Sequence, residues 1–334
     1  MNQLAPPPGT AETSKHAILV EGVSQRYGRT LALDNVSLTV PSGSLFGLIG
    51  PNGAGKSTLI DILCTIRPPL SGRAFVAGLD VARHPRNVRR RIGVIFQNST
   101  LDTRLSVFDN LDFHARVHAM PRAERMAKID EMLDLVQLSD WRKAPAASLS
   151  AGMKRRLEIA RGLLHEPEIL FMDEPTVGLD PQSRANIWEH LAKLRQRTGL
   201  TIIVTTHYIE EVGGADSICV IDKGKILVEG TPGELKAAHG TVLLRLRSQE
   251  GAGPEAILAA HPDAIAAPNG DFVVRFSSMP EAEAALASLR GQIGLATLEP
   301  PSLESVFLNL TGRALREEGP SQGRGRAGGR GGRG

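Results

Sequence analysis

Gly50-Pro51-Asn52-Gly53-Ala54-Gly55-Lys56-Ser57 is the stretch on which the fold turns. One glycine, four intervening residues and then Gly-Lys-Ser is the full pattern of a phosphate-binding loop. Glycines let the backbone curl until its N–H groups point inward around phosphate oxygens. The apolar run Leu45–Ile49 just before it reads as a buried strand, and residues 58–66 read as a helix that opens near Lys56. The start of that helix adds the positive end of its dipole. In such a loop Lys56 bridges the β- and γ-phosphates of a nucleoside triphosphate and the Ser57 hydroxyl faces Mg2+. Gly50, Pro51, Asn52, Gly53, Ala54, Gly55, Lys56, Ser57 and Thr58 therefore make up the predicted phosphate site.

Working outward, short β-branched runs alternate with helical stretches from residue 17 to about residue 240, the pattern of an α/β domain with a mixed sheet core. Residues 18–21, 36–40, 92–96, 169–172, 202–205 and 217–221 read as its further strands, several of them short and continuously apolar, as buried parallel strands are. Between Gln97 and Leu149 the strands stop. Pro121 opens a helix in which Met126, Ile129, Met132, Leu133 and Val136 recur at helical spacing, which predicts a helical insertion over about residues 98–157. Past residue 240 the composition shifts. Strands at 242–246 and 272–276, helices at 254–260 and 281–289, and a closing helix at 303–316 predict a small α+β domain over 241–316. Residues 1–16 read as a flexible lead-in, and residues 317–334 as a disordered Gly/Arg tail.

Composition narrows the function classes. Aromatic residues are 4% of the chain, too few for a protein built on base stacking. The net charge is +3, but Arg324, Arg326, Arg330 and Arg333 lie in an acid-free stretch from Gly319 onward, so the rest of the chain is slightly acidic and no specific nucleic acid is expected as a partner. Cys64 and Cys219 are far apart among apolar residues and match no metal-ligand spacing, which predicts two buried thiols. Residues 1–15 lack the charged start and apolar run of a signal peptide. No apolar run approaches the roughly 18 residues that cross a bilayer.

Further along, Ile169-Leu170-Phe171-Met172-Asp173-Glu174 ends an apolar strand in two carboxylates. Asp173 is placed to hold Mg2+ beside the phosphate loop, and Glu174 to act as general base toward the attacking water. Thr205-Thr206-His207 puts an imidazole at the carboxyl end of another strand, where ligands of α/β sheets gather. Leu149-Ser150-Ala151-Gly152-Met153-Lys154-Arg155-Arg156-Leu157 sets a small-residue turn before a helix a short way upstream of Asp173.

That last stretch resembles the signature motif of ABC ATPases. Together with Gln97, the Gly178-Leu179-Asp180 run and His207, it completes the family's ordered set of motifs over about residues 17–237. The resemblance implies a P-loop ATPase that works as a homodimer with two ATP molecules buried between head-to-tail subunits. One subunit would supply Lys56, Ser57, Gln97, Asp173, Glu174 and His207, with Gln97 near Mg2+. The other would cap the γ-phosphate with Ser150 and the N–H of Gly152. Tyr27 matches the family's adenine platform, although an isolated tyrosine can equally be core. Asp180 matches the loop that crosses the dimer interface.

The family usually has Gly where this chain has Ala151 and Gln where it has Met153; neither change removes a catalytic group, so an active ATPase is expected. Met153 followed by Lys-Arg-Arg-Leu, and the closing stretch from Pro301 to Arg313, resemble the daunorubicin-type drug-resistance and nodulation-factor exporters. Their resemblance implies a subunit on the cytoplasmic face of the inner membrane, docked through the helical insertion on a separate permease of about six transmembrane helices. A soluble ABC protein acting on ribosomes or nucleic acid is the rival reading. One phosphate loop, no heptad run and no cysteine cluster argue against it.

Overall fold

The computed structural model describes residues 16–177, 179–206, 209–248, 255–267, 270–289 and 293–312. It opens with strands β1 (His16–Tyr27), β2 (Thr30–Pro41) and β3 (Leu45–Ile49), and β3 runs into helix α1 (Lys56–Leu63). Next come β4 (Ser71–Val76), β5 (Leu79–Asp80), α2 (Pro85–Arg91) and β6 (Ile92–Ile95). Three helices follow without a strand, α3 (Val107–Val117), α4 (Arg122–Leu135) and α5 (Ala151–Leu163). The sheet resumes with β7 (Ile169–Asp173), α6 (Pro181–Thr198), β8 (Thr201–Thr206), β9 (Ser217–Asp222), β10 (Lys225–Gly230) and α7 (Pro232–His239). The last segment holds β11 (Val242–Ser248), α8 (Glu255–Ala260), β12 (Ile265–Ala266), β13 (Phe272–Phe276), α9 (Met279–Ser288), β14 (Ile293–Glu299) and α10 (Leu303–Thr311).

The central sheet has the order β10-β9-β3-β8-β7-β6. From β9 to β6 the strands are parallel, and β10 closes one edge antiparallel. Their apolar residues face packed layers on both sides, as parallel strands require. One face, with Phe46, Leu48, Phe171 and Ile203, packs on α1 and on the antiparallel sheet β2-β1-β4-β5. The other, with Ile49, Leu170, Met172 and Val204, packs on the insertion through Leu111, Ile129, Leu133 and Leu157. Apolar residues at helical spacing in α4 thus bury one stripe, and Met132 lies in it at 3% exposure.

The closing helix α10 has two attachments. Ser302 and Ser305 form its capping box, and Leu303, Val306 and Phe307 join the main core beside α7. Leu308 packs instead with Leu243 and Val273 of the third sheet, whose order is β12-β13-β11-β14. The helix predicted over 303–316 stops at Thr311, because Gly312 turns left-handed at φ 67°. Similarly, α1 ends at Leu63 rather than residue 66, with Thr65 at φ 60°. Five strands escaped the sequence reading: β4, β5, β10, β12 and β14. All are edges, two-residue bridges or half-exposed pairs with little apolar periodicity. Both cysteines are buried and free, as expected. Among the described residues no helix is long and apolar enough to cross a membrane.

Candidate nucleotide site

β3 lies in the middle of the sheet, so its carboxyl end delivers the phosphate loop between β8 and β9. Two of its glycines have no substitute. A Cβ on Gly50 would stand 2.3 Å from the Ile221 carbonyl oxygen; Gly55 caps α1 at φ 111°, and its Cβ would stand 2.6 Å from the Ala32 carbonyl oxygen. Lys56 is buried at 5% exposure. Its Nζ donates to the Gly50 carbonyl at 2.7 Å and the Pro51 carbonyl at 3.2 Å, which occupies two of three N–H donors and leaves the third for a ligand. Burial pulls the Lys56 ammonium below the ordinary lysine value, against the opposing charges of Glu174 and Asp173. Ser57 and Asn52 are exposed and Thr58 is half-buried.

Asp173 ends β7 directly opposite Thr205 of β8. The Thr205 hydroxyl donates to Asp173 Oδ1, which fixes the carboxylate at the sheet edge. At Glu174 the chain leaves the strand in the left-handed region, φ 46°, a conformation that costs a non-glycine residue about 1–3 kcal/mol. The Glu174 N–H is held by the Thr205 carbonyl at 3.0 Å and by its hydroxyl at 3.1 Å. So turned, Glu174 accepts a hydrogen bond from Gln97 Nε2 at 2.8 Å. Lys56, Asp173, Glu174 and Gln97 are therefore one group.

Arg155 ties this group to the signature helix. It is buried, at 6% exposure, and it pairs with Glu158 at 2.9 Å. Its guanidinium donates to the carbonyls of Phe96 at 2.7 Å and of Pro175, and more weakly to those of Asp173 and Glu174. The residues before Gln97 and around Glu174 thus share one cation. Nothing local in the Lys-Arg-Arg run singles out Arg155, since such a run ordinarily marks a solvated face; only its place on the α5 stripe between Gly152 and Ile159 distinguishes it. The sequence reading passed over Thr205, in favour of its neighbour His207, which lies outside the described residues, as does Gly178.

The other expected residues stand apart from this group. Ser150 caps α5, its hydroxyl accepting from Met153 N–H at 3.3 Å, and it is exposed along with Ala151. Gly152 faces the start of α6, where a Cβ would meet Ser183 Oγ at 2.9 Å. Met153 packs against the main core. Asp180 caps α6 by accepting from Ser183 N–H at 2.9 Å and Ser183 Oγ at 2.6 Å, and these bonds hold its carboxyl below the ordinary value. Tyr27 is not core: it is 39% exposed at the end of β1, with the Arg67 guanidinium 4.7 Å from its ring centroid.

Residues 33–177, which include the phosphate loop, Gln97, the signature turn and the Asp173–Glu174 pair, match the family model described as ABC transporter. The daunorubicin resistance ATP-binding protein of Streptomyces coeruleorubidus is 39% identical over 89% of this chain and 96% of its own length. The chain belongs to the ABC transporter family. It is an ATP-binding cassette, an ATPase subunit of the kind that powers transport. The Nod factor export ATP-binding protein I of Rhizobium sp. (strain N33) is likewise 39% identical, over 91% of this chain and the full length of that one. Among solved structures, cbiO1 from Clostridium perfringens, part of the ABC transporter complex cbiONQ, superposes with a TM-score of 0.63 at 31% identity, covering 67% of this chain and 92% of that one. A dimeric bacterial ABC transporter cassette, MJ0796, gives a TM-score of 0.60 at 28% identity, covering 64% and 98%. The doubly packed mixed sheet and the helical insertion of this cassette agree with that family fold.

Proposed function

We propose that this cassette drives export through a separate membrane permease by closing as a homodimer around two ATP molecules and hydrolysing them. The observation that carries the reading is the Gln97–Glu174 hydrogen bond at 2.8 Å beside Lys56 and Asp173, with the insertion beginning immediately after Gln97. It makes the base that activates water and the hinge of the insertion one contact, so a change at the γ-phosphate is felt by the docking surface. The relative named for Nod factor export, at 39% identity, supports the export direction, and a cassette driving such a permease would work at the cytoplasmic face of the inner membrane. The similar cbiO1, part of an ABC transporter complex, supports separate partner subunits, here a permease expected to have about six transmembrane helices.

In this reading the backbone N–H groups of Asn52, Gly53 and Gly55 to Thr58 cradle the phosphates at the start of α1, and Lys56 offers its remaining donor to the β- and γ-phosphates. Tyr27 stacks on the adenine with its exposed ring. Asp173, the Ser57 hydroxyl and the Gln97 amide oxygen are hard oxygen donors at one sheet edge, a set that suits Mg2+, which would supply charge neutralisation on the phosphate oxygens. Glu174 holds the attacking water and takes its proton. His207, the next residue in the chain after Thr206, is assigned to orient that water. The exposed Ser150 hydroxyl and Gly152 N–H cap the γ-phosphate of the partner, and Asp180 meets the partner's phosphate loop. Glu174→Gln keeps the hydrogen-bonding shape and removes the base: ATP affinity is expected unchanged, with single-turnover hydrolysis slowed about 10²–10⁴-fold. Normal turnover in that variant would remove Glu174 from the role.

A further inference from the structure

Three imidazoles meet where the helical insertion abuts the sheet. His114 and His118 lie one turn apart at the end of α3, so the i, i+4 spacing puts both on one face, with ring centroids 4.8 Å apart. His165, just past α5, stacks on His118 at 3.8 Å and reaches within 5.6 Å of His114. One ring nitrogen from each lies within 4.8 Å of those of the other two. Nucleotide chemistry uses none of them. We propose that His114, His118 and His165 bind one transition-metal ion of the zinc class, and that the bound ion pins the insertion to the core and slows ATP turnover.

The donors are set for it. His165 Nε2 lies 2.9 Å from the Ile92 carbonyl oxygen, which can only accept, so Nε2 carries the hydrogen and Nδ1 the lone pair. A backbone carbonyl on the far nitrogen is the partner that orients metal-bound histidines. His165 Nδ1 and His114 Nε2 are both buried and have no hydrogen-bond partner, an unfavourable state that an ion relieves. Burial, reinforced by the neighbouring rings, draws the His114 imidazole down to about 3 and His165 to about 4, so both are neutral near pH 7 and their lone pairs are available. Around a tetrahedral ion with bonds of about 2.0–2.1 Å, donor nitrogens stand about 3.4 Å apart, so nitrogens now up to 4.8 Å apart close by as much as about 1.4 Å, and the stacked His118 and His165 rings tilt out of parallel to point their lone pairs at one ion. Water takes the fourth position.

Imidazole nitrogen selects zinc, nickel or copper over Mg2+, which requires oxygen, so the site does not compete for the ion that travels with ATP. Arg90 near His118 and Arg161 near His114 add positive charge. That charge weakens binding and suits the site to responding to a rise in free metal rather than to permanent occupancy. Position supplies the regulation. His114 and His118 belong to the insertion, while His165 follows the helix that starts at Ser150 and holds the first residue of the strand leading to Gln97. An ion here joins both sides of the hinge. The effect on turnover rests on the transport ATPase reading; the binding does not.

The test titrates untagged full-length protein with Zn2+ by calorimetry and with Co2+ by visible absorption, Mg2+ and ADP being present to fill the nucleotide site. The expected result is one ion per chain and the intense d–d bands of tetrahedral Co2+. His114→Gln, His118→Gln and His165→Gln, checked for folding by melting curves, should each weaken binding more than tenfold, and His118→Cys should retain it with a thiolate charge-transfer band. No binding at micromolar metal, or wild-type affinity in all three glutamine variants, overturns the site. In excess Mg2+–ATP, Zn2+ should slow wild-type turnover several-fold and leave His118→Gln unaffected. Binding with equal inhibition of both, or of neither, overturns the clamp.

Discussion

Truncating Arg155 separates its role as a buried tie from the solvated charge that its neighbours suggest. The side chains of Arg155 and Glu158 are 7% and 4% exposed, so solvent screens the pair very little. Arg155→Ala leaves the Glu158 carboxylate buried with only the Thr100 N–H at 2.9 Å on its other oxygen, and strips the Phe96 and Pro175 carbonyls of their donor. Breaking a buried pair from one side costs about 3–5 kcal/mol. Replacing both residues with methionine removes the uncompensated charge, and what persists is the Phe96 and Pro175 carbonyls without their donor and the Thr100 N–H without its acceptor, at about 1–3 kcal/mol for a buried group left unsatisfied. Urea unfolding should therefore rank wild type above the double variant and the double variant above Arg155→Ala. Since the two carbonyls flank Gln97 and Glu174, kcat should also fall more than ATP affinity in the double variant. A loss below about 1 kcal/mol in Arg155→Ala, or a double variant less stable than that single one, would refute the reasoning.

Two further outcomes follow from the geometry. Gly50→Ala pushes a methyl to 2.3 Å from the Ile221 carbonyl, so fluorescent-ATP binding should drop more than tenfold, whereas Gly53→Ala, with φ 80° but nothing within 4 Å, should pay only backbone strain of about 1–3 kcal/mol. In the insertion, burial would raise the Asp112 carboxyl, but hydrogen bonds from Arg116 at 2.7 Å and Arg125 at 2.5 Å outweigh it and hold the group below its ordinary value of 3.8. The unfolded chain then takes up this proton first, so the contribution is complete above about pH 4 and is lost as pH falls below it; urea midpoints from pH 5 to 3 should show that slope in wild type and lose it in Asp112→Asn.

Much of the site was legible because its chemistry is local. The phosphate loop, the Asp173–Glu174 strand end and the signature turn each fit in under ten residues, and each demands residue types that packing alone would not select. That Gln97 shares a site with Glu174 was an expectation from the family's motif order rather than from spacing; the hydrogen bond between them, across 77 positions, appears only in the fold. What escaped is non-local. Arg155 looks like surface until the Phe96 and Pro175 carbonyls close on it. The histidines of α3 carry a metal-like i, i+4 spacing, but their third member arrives from beyond α5. Strands β4 and β14 lack periodicity because neither keeps a buried face along its length: β4 buries only Ala74 and Val76, and β14 buries no residue fully. The closing helix reads correctly as an apolar stripe, yet nothing in the stripe says that Phe307 faces the main core while Leu308 faces the small sheet.

Sedimentation or light scattering of Glu174→Gln at saturating Mg2+–ATP probes the nucleotide sandwich most directly. A particle of twice the chain mass is expected, returning to single mass when ATP is removed or when Ser150→Arg blocks the exposed turn. A protein that binds ATP fully and stays single, or a pair indifferent to Ser150→Arg, would contradict it.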